Sequence, residues 1–309
     1  MIIYKNTDWL EAFWHFHTGE TSRSLLKRLF WVAAYVAVVT YLQLTYLDLR
    51  LVDTPASFLS AMGILLSLLL LFRTNTAYDR FYSGRTAWGT LVNTSRNLAI
   101  LYNAVLPDSH REDRVFFTKM IANFPIALKN HLRDSRNADE LDFDQEHDPQ
   151  QWLRADHLPS AIASQLRNRT EDLYRKKLIS EAQLINLNTP LQMLMEVAGI
   201  CERIKSTPIP FSYNLFIKLF ITIYVMIIPF TIIEPYGYMT IPVVVITSYV
   251  LIGLEMIGEE IEDPFGLERN DLPLSQISQL IRVNVHEIMQ IHLPQIEKKA
   301  AQPDFAVVT

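Results

Sequence analysis

Apolar and polar positions are unevenly distributed along this chain. Residues 29–47 carry no charged side chain, and neither do residues 54–72 or 235–254. Between 206 and 233 the one charge is Lys218. A helix of about 20 residues crosses the hydrocarbon core of a bilayer. The pattern therefore predicts four membrane helices, at about 27–48, 56–73, 212–234 and 238–257. Trp31, Tyr46, Tyr236 and Tyr238 flank these runs, where amphipathic rings suit a membrane surface.

Between the second and third runs the period changes. Trp88, Leu91, Val92, Leu98, Leu101, Tyr102 and Val105 recur at helical spacing. A further helix is expected to follow Pro107 and run to about Leu132. The acidic stretch 134–152 reads as an exposed loop. Helices are expected at 159–177 and 180–204, the second with a stripe of Leu184, Leu187, Leu191, Leu194, Met195 and Ala198. A last helix is expected at 274–292, followed by a mobile tail.

Composition sharpens this picture. Half of the residues are hydrophobic, mean hydropathy is +0.11, and only 9 of 309 residues are glycine, which favours helices over strands and tight turns. The net charge of −5 argues against a nucleic-acid partner. One cysteine, Cys201, allows no disulfide within the chain.

Basic residues set the expected orientation. Arg23, Lys27 and Arg28 precede the first helix, Arg73, Arg80 and Arg85 follow the second, and Lys205 precedes the third. The connection between the third and fourth helices has no basic residue. The positive-inside tendency then puts both termini and the long middle segment in the cytoplasm. The expected organisation is a cytosolic segment (1–26), membrane helices one and two (27–73), a helical cytosolic region (74–211), membrane helices three and four (212–257), and a cytosolic hinge, helix and tail (258–309).

Candidate chemistry is sparse. His110, His131, His147 and His157 lack HExxH or ExxH spacing, and no phosphate loop or GxSxG elbow is present. On the second membrane helix, Ile64, Leu68 and Phe72 lie one turn apart on a single stripe, beside a small-residue face of Ser57, Ser60, Gly63 and Ser67. Such a stripe is an ordinary membrane-core face or the lining of a pore, since hydrophobic constrictions build gates. Glu255, Glu259, Glu260, Glu262 and Asp263 crowd the end of the fourth helix. A membrane carboxylate–metal enzyme using Glu255, Glu259 and Glu262 is one alternative, but no histidine is spaced to complete it.

Three segments carry a resemblance: FRTNTAYDRFYSGRTAWG (72–89), STPIPFSY (206–213) and GEEIEDPFGLERNDLPL (258–274). In combination they resemble the bestrophin family, its bacterial members most of all, over about residues 22–292. The resemblance implies an all-α membrane protein, with four transmembrane helices per subunit and a helical cytosolic region. It also implies a homopentamer around a central pore in the bacterial inner membrane, with both termini cytoplasmic. Ile64, Leu68 and Phe72 would form the neck, and Ile209 the cytosolic aperture. Animal necks are richer in phenylalanine, whose positive ring edges suit anions. Two aliphatic rings of three weaken the case for chloride, so monovalent cations such as sodium are expected, with an anion channel of the same architecture as the alternative.

The family's calcium clasp follows Pro-Phe-Gly. After Pro264-Phe265-Gly266 only Glu268 and Asp271 keep carboxylates, and Arg269 intrudes. Calcium takes six to eight oxygens, so no calcium requirement and no cofactor is expected. The cluster Glu259, Glu260, Glu262, Asp263, Glu268 and Asp271 is expected to be a structural hinge, some of its carboxylates pairing with Arg73, Arg80 or Arg85.

Overall fold

The protein, a computed structural model, is described for residues 2–4, 20–46, 56–137, 140–142, 155–268, 270–291 and 305–307. Among these, eight α-helices account for almost all of the regular structure: α1 (Glu20–Thr45), α2 (Ala56–Val105), α3 (Arg111–Leu132), α4 (Leu158–Arg175), α5 (Glu181–Ser206), α6 (Phe211–Tyr236), α7 (Thr240–Glu262) and α8 (Leu274–Met289). A three-residue ribbon pairs β1 (Ile2–Tyr4) antiparallel with β2 (Phe305–Val307). The tail is thus placed at those three residues, where the expectation was mobility. Most of the connection between α1 and α2, His147, Arg269 and residues 5–19 lie outside the described residues.

Among the described residues, three helical stretches are long and apolar enough to cross a membrane: Ser22–Thr45, Ser57–Val105 and Phe211–Glu262. The third contains both α6 and α7, joined by a single 3₁₀ turn at Gly237–Met239, where Gly237 takes a positive φ of 50°. Glycine meets no Cβ clash there, so the chain reverses between two apolar helices with three residues.

The chain divides into two compact units. The first holds residues 5–81 and 208–263. Its helices α1, α6, α7 and the front of α2 interlock through apolar side chains at helical spacing. Leu66 and Leu70 of α2 pack with Ile217, Ile221 and Val225 of α6 and Leu251 of α7. A second cluster joins Val36, Leu59, Ile228 and Val244. Leu25 and Leu29 meet Met256 at one end.

The second unit holds residues 1–4, 82–207 and 264–309. Its core is built on the back of α2, where Trp88, Leu91, Leu98 and Tyr102 are fully buried. Tyr102 stacks on Phe117 of α3 with ring centroids 3.9 Å apart, and its hydroxyl shares a 2.6 Å hydrogen bond with Thr170 of α4. Burial pushes the Tyr102 phenol well above its ordinary range. Ser180 opens α5 with a reciprocal capping box to Gln183, which satisfies two end donors. Cys201 is fully buried on α5, and burial pushes its thiol up to about 12, so it behaves as a small apolar group.

Two expectations change here. No break separates a membrane helix ending near 73 from the helix after it, because α2 runs unbroken for 50 residues. Arg73, Arg80 and Arg85 mark a change of environment and not a helix end, since arginine is a good helix former. The start of the 134–152 loop is also tied down. Asn123 of α3 donates to the Asp142 carbonyl and accepts from its N–H, both at 2.9 Å, while Lys129 pairs with Glu140. Those pairings pin Leu141 in a buried position.

Candidate pore-lining face and its charged boundary

The front of α2 has two opposed faces. Leu59, Leu66, Leu70, Arg73 and Ala77 are buried against the first unit's other helices. Ile64, Leu68 and Phe72 are 70 %, 46 % and 56 % exposed. Helical residues two apart differ by about 200° around the axis, so the stripe 64–68–72 points away from the stripe 66–70. Three large apolar side chains therefore stand free on the face that the subunit does not use for its own packing.

On the small-residue face, Gly63 serves packing within the subunit, while Ser57, Ser60 and Ser67 are exposed. At Gly63 an added Cβ would lie 2.7 Å from the Tyr224 hydroxyl of α6. Gly63 thus lets Tyr224 approach within the same unit, and the exposed Ser67 hydroxyl bonds back to the Gly63 carbonyl of its own helix at 2.8 Å. Sequence spacing shows that a face is small, but not which neighbour fills it.

A charged layer closes this unit. Arg73 Nη1 donates to the Glu255 carboxylate at 2.9 Å and to the Glu255 carbonyl at 3.0 Å, both side chains being almost fully buried. Arg28 of α1 and Lys218 of α6 approach the same carboxylate at 3.6 Å each. Glu255 therefore gathers cations from three helices. Gly258, one turn on, lies beside the Arg73 stem, where an added Cβ would make ordinary contact at 3.9 Å from Arg73 Nε.

The other acidic residues extend this layer, with Lys218 shared between Glu255 and Glu259. Glu259 pairs with Lys218 at 2.9 Å. Glu262 accepts from the Ile209 N–H at 2.8 Å, and its carbonyl accepts from Arg80 Nε at 3.0 Å. Arg73 thus takes its carboxylate from Glu255, which lies outside the expected hinge cluster, and Arg80 reaches the backbone carbonyl of Glu262. Glu255 and Glu259 are ion-paired to Arg73 and Lys218, and Glu262 is bound to the Ile209 N–H, so the ligand set of the carboxylate–metal enzyme alternative is already engaged within the subunit. Glu260 and Asp263 flank these residues at the end of α7.

Ile209 is 8 % exposed, so in the subunit its side chain is packed. Thr207, Pro208 and Pro210 around it are exposed. A side chain in this position contributes to core packing as well as being the expected aperture residue.

In the second unit, the Pro264-Phe265-Gly266 motif packs on the YSGR motif. An added Cβ at Gly84 would lie 3.1 Å from two atoms of the Phe265 ring and 3.2 Å from Pro264 Cγ. The motif closes on itself: the Leu272 N–H bonds the Pro264 carbonyl at 3.0 Å, and Asp271 accepts from the Glu268 N–H at 2.7 Å. Arg133 of α3 donates to the Phe265 carbonyl at 3.2 Å. Asp271 thus shapes a turn.

Two histidines that sequence spacing had scattered come together. His131, near the end of α3, and His157, the N-cap of α4, place their rings 4.5 Å apart. Glu202 of α5 reaches both: its Oε1 lies 3.3 Å from His131 Nε2 and 2.5 Å from His157 Nε2. Burial, and then the neighbouring His157, holds His131 below the ordinary histidine range.

Comparison with known proteins gives a consistent set of relatives. A family model described as bacterial/fungal bestrophin protein matches residues 1–287. The voltage-dependent anion channel-forming protein sll1024 of Synechocystis is 38 % identical over 234 residues, 74 % of this chain and 76 % of that protein. The voltage-dependent anion channel-forming protein YneE of Escherichia coli K12 is 32 % identical over 290 residues, 92 % and 93 % of the two chains. The crystal structure of a bacterial bestrophin homologue from Klebsiella pneumoniae superposes with a TM-score of 0.80 at 26 % identity, covering 87 % of this chain and 99 % of that one.

Proposed function

This chain belongs to the bestrophin family, and we propose that it assembles as a homopentamer around a central pore and passes small monovalent ions. In this reading α1, the front of α2, α6 and α7 make four membrane crossings per subunit. The basic residues before α1 and along α2 put both termini on the cytoplasmic side of the inner membrane. The family is one of channels, and the protein is not an enzyme.

One observation carries the pore assignment: Ile64, Leu68 and Phe72 are exposed on the α2 face opposite its packed stripe. Five copies of that face around an axis enclose a dry neck of three rings. An ion crossing it sheds water without polar replacement, which makes the neck a barrier and a natural gate. Ile209 is the proposed exit ring. Because it is packed in the subunit, it reaches the axis only by leaving that position, so this constriction opens and closes with a local rearrangement. No calcium or other cofactor is part of the proposal.

For the permeant ion we propose a monovalent anion such as chloride. Relatives covering most of the chain are named anion channel-forming proteins. Sodium is the second reading, favoured by the two aliphatic rings of the neck, which offer no positive ring edge. Reversal potentials across bilayers with asymmetric sodium chloride separate the two by sign. Absence of current from a reconstituted pentamer, or a detergent-solubilised mass other than five 35.7 kDa chains, would overturn the channel reading.

A further inference from the structure

We propose that His131, His157 and Glu202 form a binding site for a divalent transition metal of the zinc class. The three ligand atoms come from α3, from the N-cap of α4 and from α5, and all lie within 4.8 Å of one another. Tetrahedral zinc, with bonds of about 2.0–2.2 Å, spaces its ligand atoms about 3.3 Å apart. His131 Nε2 and Glu202 Oε1 already have that spacing, at 3.3 Å. His157 Nε2 sits closer, at 2.5 Å, because it is hydrogen-bonded to the carboxylate, and it needs to retreat by a fraction of an ångström.

The donor chemistry selects the metal. Two imidazoles and one carboxylate suit zinc and its neighbours, whereas calcium and magnesium require more oxygens. Each side chain is about one-third exposed, so water can reach the site and complete the coordination. Lys205, one turn after Glu202, is neutralised by Asp134 at 2.6 Å and leaves the carboxylate to the histidines.

Loading has a defined cost. His157 Nδ1 accepts from the Ser160 N–H at 3.0 Å, which caps α4. A neutral ring in that state carries its proton on Nε2 and gives it to Glu202. When a metal takes Nε2, the proton moves to Nδ1 and the cap bond is lost, with no net proton released. The cap is a single hydrogen bond, whereas the metal would gain three side-chain ligands at once. The metal wins, and it ties three helices of the second unit together.

The test uses the full-length, untagged pentamer in detergent, stripped with a chelator and titrated with zinc chloride. Expected results are one zinc per chain by mass spectrometry and a raised thermal midpoint, with no rise from magnesium or calcium. Glu202→Gln, which keeps the hydrogen bond from His157 but not the charge, should lose zinc affinity at least tenfold. His131→Gln should do the same, and because this residue does not cap a helix, it serves should Glu202→Gln fail to fold. Unchanged midpoints of both variants without zinc would separate ligation from folding. Wild-type protein that retains no zinc, or folded variants that bind it as tightly as wild type, would show a hydrogen-bonded cluster only and overturn the proposal.

Discussion

Gly84→Ala should lower the thermal stability of this protein and Gly199→Ala should raise it, although the two substitutions are chemically the same. Both glycines lie inside helices, α2 and α5, so each alanine gains about 1 kcal/mol of helix propensity. What the new methyl meets decides the sign. At Gly84 it would lie 3.1 Å from two Phe265 ring atoms and 3.2 Å from Pro264 Cγ. Carbon atoms rest at about 3.5–4.0 Å, so those neighbours must yield by about half an ångström. Phe265 is 1 % exposed and Pro264 is a closed ring, so neither can swing aside. Overpacking of this kind costs about 1–3 kcal/mol, which exceeds the helix gain and leaves a net loss of about 1 kcal/mol. At Gly199 nothing lies within 4 Å of the new methyl, so the gain stands. One kcal/mol moves the midpoint of a sizeable domain by about 2–4 °C, and the two variants should differ by about 6 °C. Trp88 is fully buried one turn from Gly84 and offers an intrinsic fluorescence readout during heating. A Gly84→Ala protein that melts at or above wild type would refute the claim that Phe265 and Pro264 are held rigidly.

Three other outcomes follow from the geometry. Glu255→Gln removes the buried partner of Arg73 and should cost about 3–5 kcal/mol, seen as a large loss of folded pentamer on size exclusion, whereas Glu259→Gln, half exposed, should change little. Stability should fall as pH drops below about 6.5: burial holds His286 below its ordinary range, so the unfolded chain takes up the proton first. Arg282 and Lys119 add to that depression, while Asp142 and the Ile291 carbonyl oppose it. His286→Gln should flatten the decline in thermal midpoint between pH 7 and 5, and an unchanged slope would refute the assignment. Ile209→Ala should raise single-channel conductance and lower the thermal midpoint together, the second because the side chain is packed; unchanged conductance in an intact pentamer would remove Ile209 from the exit.

Much of the fold was legible because its signals are local. Charge-free runs reveal apolar helices by length alone, and Ile64, Leu68 and Phe72 declare a common face through the 3.6-residue period. The apolar stripe of α5 is local in the same sense. What escaped depends on partners distant in sequence. Arg73 and Glu255 are 182 residues apart, and His157 and Glu202 are 45 apart. No spacing rule links such pairs, so the histidines looked scattered although they meet. Burial of Ile209 was equally hidden, because its exposed neighbours Thr207, Pro208 and Pro210 give its segment the look of an open loop. The continuity of α2 was missed for another reason: arginines at a membrane surface and arginines at a helix end look alike.

The convergence of Arg28, Arg73 and Lys218 on Glu255 has a consequence for biogenesis. The ribosome makes the three cations first and their shared carboxylate last, on α7. Until Glu255 emerges, Arg73 has no counter-ion for a position that ends almost fully buried, and an unpaired charge is costly at a bilayer. On the proposed membrane topology, the first unit should stay open until α7 supplies Glu255. A chain stalled or truncated before residue 255 should remain a loose substrate for membrane proteases, while one extended a few residues past it should become resistant in a single step.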